Sequence, residues 1–119
     1  MTEARPRIPI APVLSRASFT RGFAAPPSIL DAGQVRLVSS GRIAIAMALR
    51  AMRVGPGDEV LVPAYHSLSM IPPVLWRGAT PVFYRVGRDA AADLGDAAAK
   101  VTPATRAIMV TNYFGFPQD

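Results

Sequence analysis

Residues 39–66, SSGRIAIAMALRAMRVGPGDEVLVPAYH, decide the fold. A serine pair stands before a run of alanine, isoleucine, leucine and methionine, so Ser39 or Ser40 can cap a helix from about Gly41 to Arg53. At about 100° per residue, Arg42, Arg50 and Arg53 share one stripe roughly 80° wide, and every other side chain from Ile43 to Met52 is apolar. So narrow a polar stripe predicts a helix buried on most of its circumference, between a sheet and another layer. Gly55-Pro56-Gly57 should then end it, with Gly55 in the left-handed C-terminal position and Pro56 unable to continue. Glu59–Pro63 (EVLVP) is short, apolar and bounded by turn residues, which predicts a strand.

Toward the C-terminus the alternation continues. Ser69 with Pro72 and Pro73 predicts a second helix start, and Gly78 ends that helix near Arg77. Thr80–Arg85 (TPVFYR) reads as a second strand. Asp93–Lys100 reads as a short alanine-rich helix stopped by Pro103, and Arg106–Thr111 (RAIMVT) as a third strand before a turn at Gly115 and Pro117. Strands joined by helical crossovers of this length should be parallel and right-handed, giving an α/β fold with a three-layer, mainly parallel sheet. Trp76 and Phe83 are expected in its core. Three parallel strands leave open edges and uncovered faces, and the sequence stops where another helix is due, so the chain is expected to be part of a larger domain.

Toward the N-terminus the composition changes. Residues 1–30 carry Pro6, Pro9, Pro12, Pro26 and Pro27, four arginines and no sustained apolar period. Proline removes donors and fixes φ, so this zone is expected to be an extended arm, with residues 31–119 forming the α/β part.

Composition narrows the function. The chain has no cysteine and one histidine, which excludes a thiolate nucleophile, Cys-ligated metal and a multi-histidine zinc site within it. Its net charge of +5 comes from 13 basic residues, all but one of them arginine. They are scattered, without a basic run or an aromatic-interleaved basic stripe, so nucleic-acid binding is not expected. The longest apolar run, Ile43–Leu49, is far short of the roughly 20 residues that span a bilayer, and a cytoplasmic protein without membrane partners is the default.

From Ser39 onward, three stretches carry a more specific signal: SSGRIAIAMALRAMRVGPGDEVLVPAYHS, GATPVFYRV and TPATRAIMVTNYFGFPQD. In order and spacing they resemble the opening of the large domain in DegT/DnrJ-type sugar aminotransferases, which depend on pyridoxal 5'-phosphate (PLP). Members show a Ser/Asn-Gly-Thr helix start, a G-x-G-D-E-V turn, V-P-x-Y/F, G-A-x-P-V-F, and a T-x-A-I strand leading to H-x-x-G. The resemblance implies the N-terminal portion of a fold type I PLP-dependent large domain, a homodimer, and PLP as cofactor. It further implies amino transfer from glutamate or glutamine to a nucleotide-linked keto sugar.

Carried over residue by residue, the resemblance places Ser40, Gly41 and Arg42 at the cofactor phosphate. A helix N-terminus offers free N–H groups and the positive end of the macrodipole there. Without the family, Ser-Gly before a helix is simply a cap. Arg42 stands where threonine is common; it can add a charge-assisted contact or point to solvent while the backbone binds. His66 lies in the turn after the first strand, where the family places a ring on the cofactor, usually at the position of Ser67 here. Otherwise it is a loop histidine. Asn112 replaces a common histidine and, with Tyr113, is expected at the substrate.

The family's cofactor-pairing aspartate and Schiff-base lysine are expected beyond residue 119. The one lysine, Lys100, does not match the latter; it is expected to be a solvated helix-end charge, and the chain to be inactive alone. Gly55-Pro56-Gly57-Asp58 precedes a strand and is a structural turn rather than a phosphate loop. Two other readings remain open: a sugar dehydratase using PLP or pyridoxamine phosphate, and a non-catalytic α/β binding or dimerisation module.

Overall fold

The computed structural model describes residues 33–115 and Gln118. The chain divides into Met1–Val35 and Arg36–Asp119, and every element described below lies in the second unit. The proposed arm over residues 1–30 and the turn residue Pro117 lie outside the described residues.

The second unit builds the alternation read from the sequence: α1 (Gly41–Ala51), β1 (Glu59–Pro63), α2 (Ile71–Trp76), β2 (Thr80–Tyr84), α3 (Leu94–Ala99) and β3 (Thr105–Ile108). A 3-10 turn, Leu68–Met70, leads into α2, and a turn at Tyr113–Gly115, with Phe114 outside helical backbone space, follows β3. The strands form one parallel sheet in the order β2-β1-β3. β1 is therefore central, and its Val60, Leu61 and Val62 are fully buried.

Successive strand residues face opposite sides of a sheet. Val60 and Val62 pack with Leu49, Val54, Val74 and Ala79 on the α1/α2 side, while Leu61 packs with Tyr84 and Ala97 on the α3 side. That is a three-layer arrangement, and it explains why β1 reads as a continuous apolar run rather than an alternating one.

Both helices on the first side end in the same device. At the end of α2, Gly78 N–H donates to Leu75 O (2.9 Å) and Ala79 N–H to Val74 O (3.2 Å), with Gly78 at φ 73°. At the end of α1, Arg53 N–H donates to Arg50 O (3.0 Å) and Val54 N–H to Leu49 O (3.0 Å), with Arg53 at φ 58°. Each pair of bonds is a Schellman motif, and each brings together two apolar residues of the same core cluster, Val74 with Ala79 and Leu49 with Val54. The left-handed residue after α1 is thus Arg53, and the expectation that Gly55 fills this role is corrected. Gly55 lies in ordinary backbone space with its N–H held by Asp58 Oδ2 (2.8 Å), and Gly57 takes the positive φ of that turn, 87°.

Four further expectations are corrected. α1 is covered on one side only: Leu49 is its one buried residue, and Ile43 and Met52 are 38% and 44% exposed. Trp76 and Phe83 are 58% and 42% exposed rather than core, because Trp76 lies on the outer face of α2 and Phe83 on an edge strand. The segment leading to α2 is capped by Ser67, whose Oγ accepts from Ser69 N–H (3.4 Å), not by Ser69. Lys100 is not simply solvated: its Nζ donates to Phe83 O (2.7 Å) and pairs with Asp96 Oδ2 (2.7 Å), fastening α3 to β2. Those contacts, Lys100 first and the Arg85 N–H second, hold the Asp96 carboxyl below the usual carboxylate range.

The matched motifs with different residues yield a test. A side chain in left-handed backbone costs about 1–2 kcal/mol that glycine avoids, less its own entropy cost. Arg53→Gly is expected to raise the stability of the chain by about 0.5–1 kcal/mol in denaturant melts, whereas Gly78→Ala lowers it. A Cβ at Gly78 would also meet Pro56 Cγ at 3.0 Å.

Candidate functional site

Parallel sheets gather their loops at the carboxyl ends of the strands, where ligands bind. β1 ends at Pro63, and β3 pairs with it through Leu61↔Ile108. The ladder continues with Met109 N–H donating to Leu61 O (2.8 Å). The next rung would run from the N–H of residue 63 to Met109 O, but proline has no N–H. The phenol of Tyr84 donates to Met109 O instead (2.7 Å), reaching across β1 from β2. With no further rung available, β3 ends at Ile108, short of the Thr111 expected from sequence.

Beyond this point the two chain segments separate and enclose a cleft of about 360 Å³. One wall is Tyr65, His66 and Ser67 with Met70; the other is Thr111, Tyr113 and Phe114. The His66 ring is backed by Phe83, with ring centroids 5.4 Å apart and planes inclined by 16°. Its Nδ1–H donates to Ser67 O at 3.1 Å. Ser67 also lines the cleft, but its hydroxyl is engaged with Ser69 Oγ at 2.9 Å. Tyr65 and Tyr113 stack at 5.2 Å, and the Tyr113 hydroxyl donates to the Tyr65 carbonyl. Asn112 sits between them in sequence, exposed, with its carbonyl accepting from Gly115 N–H (3.2 Å).

Ser40, Gly41 and Arg42 do not line this cleft. They are exposed at the start of α1, where Ser40 Oγ accepts from Ile43 N–H (3.4 Å) and Ala44 N–H bonds Ser40 O (3.0 Å). The Gly41 and Arg42 N–H groups precede the first intrahelical bond and have no partner within the helix. The short turn between α1 and β1 makes them antiparallel, and 11 helical residues rise about as far (~16 Å) as the five residues of β1 extend. The N-terminus of α1 therefore lies at the same end of the sheet as the cleft, consistent with Ile45 and Met70 packing on one core cluster. Among the described residues nothing requires glycine at 41: its φ is not positive, and an added Cβ would meet none of their atoms within 4 Å.

A second groove of about 410 Å³ runs between α3 and β3 over Leu61, Leu94, Ala97 and Ile108. It is almost wholly apolar and lies on the opposite face of β1 from α1, so it is an uncovered sheet face rather than a chemical site. No described cluster of three or more acidic or histidine side chains could hold a metal ion.

Residues 17–119 match the DegT/DnrJ/EryC1/StrS aminotransferase family. The chain belongs to that family. It is 43% identical over 82 residues to the UDP-N-acetyl-3-dehydro-alpha-D-glucosamine 3-aminotransferase of Acidithiobacillus ferrooxidans, covering 68% of this chain and 22% of that protein. Among solved structures, it is similar to S. venezuelae DesV in complex with a ketimine intermediate, with 37% identity and a TM-score of 0.64. That likeness covers 67% of this chain and 22% of DesV. It is similar also to the PLP form of Spr1654 from Streptococcus pneumoniae, with 32% identity and a TM-score of 0.63 over 66% of this chain and 20% of that one. The chain thus spans about a fifth of the length of the relatives it matches. Its fold is that of the fold type I aminotransferases, and no described helix is long and apolar enough to cross a membrane.

Sequence reasoning missed Tyr65, Met70, Thr111 and Phe114 as cleft residues. The usable signal was an aromatic residue after each of the two paired strands, Tyr65 and Tyr113. The Tyr84 phenol, buried beneath the cleft, is pushed above its ordinary pKa by burial first and by Tyr113 second. It therefore stays a donor. Its contribution to stability is whole below about pH 10 and is lost as pH rises through its raised pKa. Tyr84→Phe is expected to cost about 1–2 kcal/mol in denaturant melts at neutral pH, by leaving Met109 O without its donor. The gap between variant and wild type should close only in strongly alkaline solution.

Proposed function

We propose that this chain forms the cofactor-phosphate and ring-covering part of a PLP-dependent nucleotide-sugar aminotransferase. The observation that carries this reading is that one family match, residues 17–119, takes in both the N-terminus of α1 and the two loops of the cleft, which the parallel sheet gathers at one end. The similarity to an aminotransferase acting on a UDP-linked dehydro sugar supports the substrate class.

The residues present fit PLP. Gly41, which neither backbone conformation nor packing among the described residues explains, leaves the first turn of α1 without a side chain where a phosphate would approach. The free N–H groups of Gly41 and Arg42, the helix dipole and the exposed Arg42 guanidinium suit a dianionic phosphate. Ser40 holds the helix start in shape through Ile43 N–H. His66, backed by Phe83, presents a flat ring for stacking on the pyridine. Asn112 offers an amide to sugar hydroxyls, and the Tyr113 ring closes the wall on the substrate side. When bound, PLP supplies the electrophilic carbonyl and electron sink for moving an amino group from glutamate or glutamine to the keto sugar. Lys100 takes no part, being tied to Phe83 O and Asp96. The working protein is a cytoplasmic homodimer in this reading, with no nucleic-acid or membrane partner.

The protein that carries this chain is to be assayed with UDP- or dTDP-linked keto sugars, PLP and labelled glutamate or glutamine. Transfer of the nitrogen to the sugar is expected. A dehydrated, nitrogen-free sugar points to the dehydratase reading, and no turnover with any of them to a non-catalytic module.

At the residue level, Arg42→Ala is expected to weaken PLP binding by about 1.5–3 kcal/mol, the worth of a charge-assisted hydrogen bond. Unchanged affinity would remove Arg42 and leave the backbone as the phosphate ligand. His66→Ala should weaken PLP retention, His66→Phe should restore it, and Ser67→Ala should do neither.

A further inference from the structure

Two neighbouring segments, β2 and the loop after β3, hold the loop that carries His66. Ala64 N–H donates to Tyr84 O (2.8 Å), fixing the start of the loop to β2. The His66 ring lies on Phe83 and bonds Ser67 O, which fixes its far end. Between these anchors, the Tyr65 carbonyl accepts the Tyr113 hydroxyl and the Tyr65 ring stacks on the Tyr113 ring. That central anchor comes from the opposite wall of the cleft, 48 residues away.

The opposite wall is itself held in an uncommon conformation. Phe114 has φ 56° and Gly115 φ 86°, and the turn is closed by Tyr113 N–H to Thr111 O (3.1 Å) and Gly115 N–H to Asn112 O (3.2 Å). Phe114 is 83% exposed, so its left-handed backbone is not explained by burying its own ring. The turn follows directly on Tyr113, whose ring and hydroxyl meet Tyr65 across the cleft. Such backbone strain persists only where its surroundings enforce it.

We propose that Tyr113 is a positioning residue, whose hydroxyl and ring clamp the loop after β3 onto the loop after β1 and so fix the His66 ring at the cleft wall. Its donor proton is committed to the Tyr65 carbonyl, so the hydroxyl acts on the site through Tyr65 and His66. Burial, ahead of the neighbouring Tyr65, pushes the Tyr113 phenol above its ordinary pKa, which keeps it a donor throughout the neutral range. The consequence for cofactor binding rests on the reading of His66 given above; the clamp does not.

His66 is the chain's one histidine, so its imidazole gives one unambiguous set of proton resonances. In the 119-residue chain without cofactor, those resonances should be shifted upfield by the Phe83 stack. Tyr113→Leu removes the ring and the hydroxyl. It is expected to return the His66 signals toward free-histidine positions and to speed exchange about tenfold at the Ala64 and Met70 amides, which are hydrogen-bonded to Tyr84 O and Ser67 O at the two ends of the loop, while Val60–Val62 stay protected. Tyr113→Phe keeps the stack, and exchange at the same amides should rise about threefold. Wild-type His66 shifts and loop exchange in Tyr113→Leu would overturn the proposal, as would equal loss of protection in β1. Should the leucine variant not fold, the phenylalanine variant decides by the same two criteria. Because these measurements need no PLP, failure of the clamp and failure of the PLP reading appear in different experiments.

Discussion

Pro63 ends the central strand without an N–H to give, and much of the site follows from that. The ladder between β1 and β3 stops at Met109 N–H, so the two segments part there instead of continuing side by side. The carbonyl left over at Met109 is taken by Tyr84, whose phenol comes from β2 across the whole width of the sheet. One hydrogen bond thus ties the end of β2 to the residue after β3 at the carboxyl edge, on the two sides of the central β1. Below that edge, β1 is buried on both faces by α1 and α2 on one side and α3 on the other. Rigid strands and a parted carboxyl edge are what allow two short loops to face each other at hydrogen-bond distance.

The order of elements was legible because each carried a local cause. Serine and aspartate stand at helix starts, glycine and proline at the breaks, and VLV marks a strand buried on both faces. β1 was read with the ends it has, and α1, α2, β2 and α3 to within one to three residues. Misreadings came where packing against other residues, near or far in sequence, decided the outcome. Arg53 occupies the left-handed position because Val54 must return to Leu49, a packing demand stronger than the preference for glycine next door. β3 is short because of a proline in another strand. Phe83 and Trp76 are apolar by type yet lie on surfaces that the described residues leave open.

The site was legible in part for the same reason. A strand-end loop holding His66 and a helix start at Ser40-Gly41-Arg42 can each be read locally. Their placement at one end of the sheet follows from parallel topology and matched element lengths. The pairing of Tyr65 with Tyr113 cannot be read locally, since it depends on where β3 leaves β1. The glycine at 41 becomes informative only with the structure in view, when backbone conformation and packing against the described residues both fail to call for it.

In the proposed function, the N-terminus of α1 and the His66 loop serve one ligand. Amide shifts of the isotope-labelled chain during titration with PLP test this most directly. Gly41 and Arg42 are expected to move together with His66 and Ser67 along one saturation curve, while Leu94–Ala99 stay still. Shifts confined to one of the two segments, or two curves of different midpoint, would contradict it.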